Sequence, residues 1–195
     1  MEFTPYPKTP RLRRGVIVTE KLDGTNAQVV ITREDPIAAL LDGDTTVVAH
    51  NGELVMRVGS RSRWICPGKT SDNYGFAGWC YENMTELFKL GEGQHFGEWY
   101  GLGIQRGYGL TNKRFALFNP DRWGAHNPDT PACCEVVPVL YRGDLAGIDQ
   151  AILDLRMNGS VAVPGFMQPE GVIVYHSAAR QAFKVLLEND EGHKG

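Results

Sequence analysis

A lysine followed by an aspartate and a glycine stands at the end of an apolar run near the N-terminus, as Lys21-Leu22-Asp23-Gly24. Taken alone, this pattern is typical of a surface hairpin turn with a solvated lysine. An amine attacks an electrophile only in its neutral form, which partial burial or a nearby cation favours. The alternative is therefore a nucleophilic lysine beside a carboxylate.

Three other charged residues stand inside or beside apolar runs. Glu98 lies in an aromatic stretch, Glu170 precedes the apolar run 171–174, and Lys184 lies in the apolar run 183–187. Burying a charge costs several kcal/mol unless the charge has a partner. These residues are therefore expected to form ion pairs or a binding site.

The elements that must position these charges are short apolar runs between turn signals. The sequence predicts a hairpin of strands 16–19 and 27–32 across Asp23-Gly24, and a second hairpin of strands 46–49 and 54–58 across Asn51-Gly52. Helices are predicted over 76–88, with Gly91 as the stop, and from Ile148 to an end at Asn158-Gly159. Further strands are predicted at 96–100, 115–118, 171–176 and 182–187, and at 136–141 with an interruption at Pro138.

Because hairpins outnumber strand–helix–strand units, the pattern predicts an α+β fold with antiparallel sheets. We expect a single domain over residues 1–195, with an extended lead-in at 1–14 and a polar tail at 188–195. The glycine-rich segment 101–109 lacks dinucleotide-binding spacing and is predicted to be a mobile loop. An RNA-contacting or phosphate-contacting loop that uses Gln105 and Arg106 is the alternative.

The composition is that of a folded globular protein, with 195 residues, 42% hydrophobic and 22% charged. No apolar run approaches the length of a membrane helix and no signal pattern opens the chain, so we expect a cytoplasmic protein without a membrane partner. The net charge of −3 argues against a protein whose only function is to bind the phosphates of nucleic acid, because such proteins are usually strongly basic. A local basic excess exists in the lead-in, at Lys8, Arg11, Arg13 and Arg14.

In this order, the charged motifs resemble those of the covalent nucleotidyltransferases, the superfamily of polynucleotide ligases and mRNA capping enzymes. The resemblance covers about residues 15–188. Asn26 stands two residues after Gly24, where T4-type RNA ligases usually have asparagine and the other branches usually have arginine. The chain therefore looks like an RNA ligase with an ATP-grasp-like nucleotidyltransferase domain.

The resemblance implies a role for each matching residue. Lys21 matches the lysine that attacks the α-phosphorus of ATP and holds AMP as a phosphoramidate. The positions that match the nucleotide-binding set are Glu20 at the adenine, Asn26, Arg61 at the ribose or phosphates, Glu98 at the ribose hydroxyl, and Phe118, preferred over Phe115, stacked on the base.

The same resemblance implies Mg²⁺ or Mn²⁺ as a cofactor beside ATP. Glu170 matches the carboxylate that positions the metal, and Asp23 is a second candidate ligand. Lys184 matches the lysine that neutralises the α-phosphate. Arg63 and Arg106 are expected to contact the nucleic acid.

Two features depart from the family pattern. Many ligases have Lys-x-Lys in the last motif, whereas Lys184-Val185-Leu186 places a leucine where the second cation would stand. We expect weaker phosphate handling, or a substitute among Lys113, Arg106 and Arg180. About ten residues follow this motif, so we expect no OB domain or helical C-terminal domain, and strand sealing that either depends on an accessory protein or is weak.

These features predict an ATP-dependent RNA ligase, of use in RNA repair, that joins a 5′-phosphate end to a 3′-hydroxyl end. A DNA nick ligase or a capping-type transferase on the same fold is the second hypothesis. A domain that binds ATP or RNA without catalysis is the third, and Leu186 favours it.

Overall fold

The computed structural model describes residues 2–188 and residue 190. The chain divides into two compact units, of which the first combines the residues up to Lys21 with those from Pro138 onward. The second unit is Leu22–Val137. The chain passes from one unit to the other between Lys21 and Leu22, inside the predicted motif.

The secondary structure is mainly short strands. The described residues contain β1 Val16–Lys21, β2 Thr25–Arg33, β3 Val47–Asn51, β4 Leu54–Ser60, β5 Trp64–Ile65, β6 Gly93–Gly101, β7 Lys113–Leu117, β8 Cys134–Val136, β9 Val139–Gly143, β10 Gly171–His176 and β11 Gln181–Leu186. The α-helices are α1 Pro36–Leu41, α2 Phe76–Glu82, α3 Met84–Leu87 and α4 Ile148–Asn158, with 3-10 turns at Phe88–Leu90 and Leu145–Gly147.

The first unit is built on a four-stranded antiparallel sheet in the order β11-β10-β1-β9. One face of this sheet forms the core with Ala151 and Leu155 of α4. Alternation along the strands turns Thr19, Lys21 and Lys184 to the opposite face. That second face therefore carries Lys21 and Lys184, two of the charged residues that the sequence singled out.

The second unit is built on a seven-stranded sheet in the order β3-β4-β2-β6-β7-β8, with β5 also paired to β4. All its strand pairs are antiparallel except β7 with β8. Phe76 and Cys80 of α2 pack on the buried face of this sheet, among the side chains of Val29, Trp99 and Phe115. The predicted α+β class with antiparallel sheets is confirmed.

The hairpin predicted across Asp23-Gly24 is wrong. Strand β1 pairs with β9 and β10, whereas β2 pairs with β4 and β6, so the two strands belong to different sheets. Gly24 packs directly on β6, where a Cβ atom would lie only 2.4 Å from the carbonyl oxygen of Trp99. The glycine permits a close approach of two backbones here, which a sequence cannot distinguish from a turn.

The hairpin predicted across Asn51-Gly52 is confirmed as β3 and β4, and Gly52 has a φ of +58°. The interruption predicted at Pro138 within 136–141 is confirmed, because the chain breaks there into β8 and β9, which join different sheets. Proline lacks the N–H that a central strand needs, so the pairing changes at that residue.

The helix predicted over 76–88 is interrupted at Asn83, giving α2, α3 and a 3-10 turn, and it stops at Gly91 as expected. The helix predicted from Ile148 to Asn158-Gly159 is confirmed as α4, with Gly159 at its C-terminal end. Helix α1 was not predicted, because six residues are too few to show a helical period.

Residues 2–11 contain neither helix nor strand and are exposed, and Asn189 and residues 191–195 of the predicted tail lie outside the described residues. Among the helices that the structure describes, none has the length and apolar character needed to cross a bilayer.

Candidate active site

Lys21 contacts one carboxylate of the same unit. Its Nζ atom lies 2.5 Å from Oε2 of Glu170, and 23% and 11% of the two side chains are exposed. The strand register explains the contact, because Lys21 pairs with Gly171 and Glu170 immediately precedes that glycine. The pair is thus partly screened from water and lies where the chain enters β10.

Gly171 keeps this part of the sheet free of a side chain. A Cβ atom at this position would lie 2.1 Å from the carbonyl oxygen of Val185, so alanine does not fit. Across the sheet, Gly171 pairs with both Lys21 and Leu186. Glycine is therefore required here by the close approach of β11 to β10, between the lysine and the leucine.

Lys184 lies on the same face as Lys21. It pairs with Ile173 of β10, which pairs with Thr19 of β1. Lys184 is therefore level with Thr19 and two strands away from it, and Lys21 lies two residues farther along β1. Ordinary strand spacing puts their Cα atoms about 12 Å from each other. Both side chains extend from one surface, and that of Lys184 is exposed.

Leu186 occupies the place in β11 where the family pattern has a second lysine, as expected. Arg180, one suggested substitute, stands before the opposite end of β11 and does not take this place. Lys113 donates to the carbonyl oxygen of Tyr74 and Arg106 donates to Asp23, both inside the second unit. Each of the three suggested substitutes therefore has another position or another contact in this structure.

The Glu20 side chain is buried and binds a loop of the first unit instead of being exposed for the predicted adenine contact. Its side chain is 1% exposed and accepts hydrogen bonds from Ser160 Oγ at 2.6 Å, Val161 N at 2.8 Å and Ala162 N at 2.9 Å. This carboxylate fixes the loop that leads from α4 toward Glu170. The sequence did not single out Ser160, whose buried hydroxyl is visible only in the fold.

In the second unit, Asn26 and Glu98 lie directly opposite each other on β2 and β6. Both side chains are half-buried, and Glu98 Oε1 accepts a hydrogen bond from Gly24 N at 3.2 Å. The structure therefore places two predicted nucleotide-binding residues side by side, next to the predicted motif.

Phe118 directly follows β7, and its N–H donates to the carbonyl oxygen of Phe96 at 3.0 Å. Its ring is 39% exposed, whereas Phe115 is fully buried in the core. Phe118 is thus the ring that can receive a ligand. Phe96 is also exposed, and its spacing of two residues from Glu98 puts both on one face of β6.

Asp23 forms an ion pair, because Arg106 Nε donates to its Oδ2 at 2.9 Å. The backbone N–H of Asp23 also donates to Tyr108 Oη at 2.7 Å. The glycine-rich segment that supplies both partners is packed, with Ile104 and Tyr108 buried. The prediction of a mobile loop is wrong, since these two apolar anchors hold the segment against the second unit.

The two remaining predicted residues lie between β4 and β5. The side chains of Arg61 and Arg63 are both exposed. Arg63 donates to the carbonyl oxygens of Ser71 at 3.0 Å and Asp72 at 3.3 Å. Their predicted phosphate and RNA contacts stay predictions.

A sequence model of the RNA ligase family matches residues 14–186. The chain belongs to the RNA ligase family. A comparison with curated proteins gave no match.

Solved structures of an RNA ligase from Naegleria gruberi have a similar fold. A lysine-to-alanine variant with ATP and Mn has a TM-score of 0.58 at 19% identity, over 92% of this chain and 52% of that chain. A lysine-to-methionine variant with AMP and Mn has a TM-score of 0.58 at 20% identity over the same shares. A form with PPi has a TM-score of 0.56 at 19% identity, over 88% and 49%. The chain spans about half the length of these RNA ligase chains.

The carboxylates near Lys21 suit a divalent cation that takes most of its ligands from phosphates and water and only one or two from the protein. Within the described residues, no group of three or more His, Cys, Asp or Glu side chains is arranged to hold a metal ion. Magnesium often uses only one or two protein carboxylates together with substrate phosphates and water. Glu170, paired with Lys21, fits that mode, and Asp23, paired with Arg106, stays the second candidate ligand.

Proposed function

We propose that this protein is an ATP-dependent RNA ligase that carries AMP on Lys21 and transfers it to a 5′-phosphate end of RNA. The observation that carries the proposal is the Lys21–Glu170 contact, on the same sheet face as Lys184, in a member of the RNA ligase family. A 3′-hydroxyl would then displace AMP and join the two ends.

In the first step, the Nζ lone pair of Lys21 forms a bond to the α-phosphorus of ATP. The bond from that phosphorus to the bridging oxygen breaks, and pyrophosphate leaves with the electron pair. On the way from ammonium to phosphoramidate, Nζ gives up two of its three protons; Glu170 Oε2 at 2.5 Å is positioned to accept one, and the other passes to water. A divalent cation at Glu170 would offset the negative charge of the phosphates.

Lys184 supports this step by charge. Phosphoryl-type transfer leaves the protein mainly with positioning and electrostatic stabilisation. An ammonium group on the same face as Lys21 suits the α-phosphate or the leaving pyrophosphate. Because Leu186 provides no second charge, the pyrophosphate is expected to be held less tightly than in ligases with two lysines.

The second unit supplies groups that suit a nucleoside. The exposed Phe118 ring offers a surface for base stacking. The Glu98 carboxylate can accept a hydrogen bond from a ribose hydroxyl, and Asn26 lies beside it. The cytoplasmic location and the accessory protein for sealing stay predictions from the sequence.

The test is covalent AMP transfer, measured as intact mass under denaturing conditions after incubation with ATP and Mg²⁺ or Mn²⁺. The wild-type protein is expected to gain one AMP and Lys21→Ala to gain none. Lys69→Ala, which removes an exposed lysine of the second unit, is the matched control and is expected to behave as wild type. Wild-type protein that binds ATP but forms no adduct would indicate a non-catalytic binding module.

Parallel reactions separate the enzyme classes. Adduct formation with GTP rather than ATP would indicate a capping-type transferase. For protein that forms the AMP adduct, sealing of nicked DNA but not of RNA ends would indicate a DNA ligase. Sealing of 5′-phosphate and 3′-hydroxyl RNA ends is the expected result.

A further inference from the structure

A cluster of arginines lies at the end of the first unit's sheet that is farther from Lys21. We call it the arginine end, and it consists of Arg11, Arg13, Arg14, Arg142 and Arg180. All five side chains are exposed. The cluster stands out because the whole chain has a net charge of −3.

A buried histidine fixes the lead-in that carries three of these arginines. The His176 ring is 5% exposed, and its Nδ1 accepts a hydrogen bond from Ala179 N at 3.1 Å. Nε2 therefore carries the hydrogen and donates it to the carbonyl oxygen of Leu12 at 2.7 Å. Since Leu12 lies between Arg11 and Arg13, this bond holds the backbone of both arginines near the sheet.

The strand register brings the other two arginines to the same place. Arg142 on β9 pairs with Ile17, and His176 and Gly143 both pair with Val16. Arg180 N donates to the carbonyl oxygen of His176 at 2.8 Å. The five arginines thus lie around the first residues of β1. The neighbouring acid, Asp144, accepts from Ala146 N at the start of a 3-10 turn.

The distance from this cluster to the lysine suits a strand of nucleic acid. Ile17 and Lys21 are four residues apart on β1, or about 14 Å. A stacked strand rises about 3.4 Å per nucleotide, so this distance corresponds to roughly four nucleotides. Tyr175 pairs with Ile17 on the face of Lys21 and Lys184, and its 39% exposed ring offers a stacking surface.

We propose that the arginine end binds the phosphodiester backbone of single-stranded RNA, about four nucleotides from the end that meets Lys21. The inference rests on the proposed function for its choice of RNA. Guanidinium groups bind phosphate through paired N–H donors, and contact to the backbone alone imposes no sequence preference. The cluster would increase the affinity for RNA strands that are longer than the few nucleotides at the active site.

The experiment compares the triple variant R11Q/R13Q/R14Q with wild type in binding fluorescein-labelled, 5′-phosphorylated RNA of 12 or 3 nucleotides, by anisotropy without ATP over a range of KCl. For the 12-mer, we expect at least 10-fold weaker binding. The slope of log K against log salt should fall by about 2, from three phosphate contacts at about 0.7 each. Binding of the 3-mer and formation of the AMP adduct should not change.

The matched control is R33Q/K69Q/K89Q, which removes the same charge from exposed residues of the second unit. A triple variant that binds the 12-mer as tightly as wild type would overturn the inference, as would an equal loss in the control. Because binding is measured without ATP, these results do not depend on adenylylation. Absence of an AMP adduct in the wild type would count against the proposed function alone.

Discussion

At Lys21, the decisive feature is a carboxylate rather than a cation beside the amine. Glu170 Oε2 lies 2.5 Å from Nζ, in a place where both side chains are mostly covered. The two residues are 149 positions apart, and the pairing of β1 with β10 alone brings them together. The sequence indicated that each charge needed a partner, but it could not show that they were partners of each other.

Glu170→Gln tests this contact at the scale of one residue. Glutamine keeps the size and an acceptor oxygen but loses the charge that can take a proton or hold a cation. We expect AMP-adduct formation to slow by about 100-fold, the usual cost of a lost electrostatic contact in a transition state. The measurement is the initial rate by intact mass at several Mg²⁺ concentrations, and half-saturation is expected to need more metal.

Glu188→Gln is the matched control, since Glu188 is an exposed carboxylate of the same unit. It is expected to retain the wild-type rate. If Glu170→Gln also formed the adduct at the wild-type rate, Glu170 would have no part in proton transfer or metal binding. The contact with Lys21 would then be only structural.

Among the elements, the two predicted turns show what a local pattern can and cannot specify. Asn51-Gly52 and Asp23-Gly24 are both strong turn signals. Only the first joins neighbouring strands, because Gly52 has left-handed geometry whereas Gly24 packs against Trp99 and Glu98 of β6. The second outcome depends on a strand more than 70 residues away, which local propensity does not include.

Strand β4 is tied to two neighbouring loops by Arg57. Its guanidinium donates to both oxygens of Glu34 and to Asp44 Oδ2 at 2.6 Å. The hydroxyl and the N–H of Thr46, together with Arg57, lower the pKa of Asp44 to about 2. The charged form of Asp44 is thus favoured in the folded state, and folding stability should depend on it.

We predict that this contribution is lost in acid. Because the pKa of Asp44 is lower in the folded protein than in the unfolded chain, its stabilisation is complete above about pH 4 and disappears as the pH falls toward 2. Urea unfolding of wild type and Asp44→Asn should differ by up to about 1 kcal/mol at pH 6 and converge near pH 2. Asp42→Asn, an exposed neighbour, is the control. A constant difference across this range would contradict the assignment.

For the whole molecule, composition and hairpin counting were enough to predict the α+β class, and the ordered motifs were enough to indicate the family. The partition of the strands into two sheets was not predictable. Alternation of apolar residues shows that a strand has a buried face, but it does not show which sheet the strand joins. Strands β8 and β9 are an example: they lie in one apolar run on either side of Pro138, yet they join different sheets.

The two units have separate cores, and this suggests a test of their independence. The core of the second unit draws only on residues from Ala27 to Val136, all inside the continuous segment Leu22–Val137. The first unit needs both ends of the chain. We therefore predict that a fragment of residues 22–137 folds alone, with a single cooperative thermal transition. All four tryptophans, Trp64, Trp79, Trp99 and Trp123, lie in this fragment, so their fluorescence reports its folding directly.

The control for this fragment is Phe76→Ala, because Phe76 is fully buried against Trp99 and Phe115. Removing a buried phenylalanine costs about 3–5 kcal/mol, which should lower the midpoint strongly or abolish the transition. A wild-type fragment without a cooperative transition would show that its core needs the first unit. If the fragment folds, ATP can be titrated into it by tryptophan fluorescence. Binding there would assign nucleoside recognition to the second unit without Lys21, whereas no binding would mean that the second unit alone does not hold ATP.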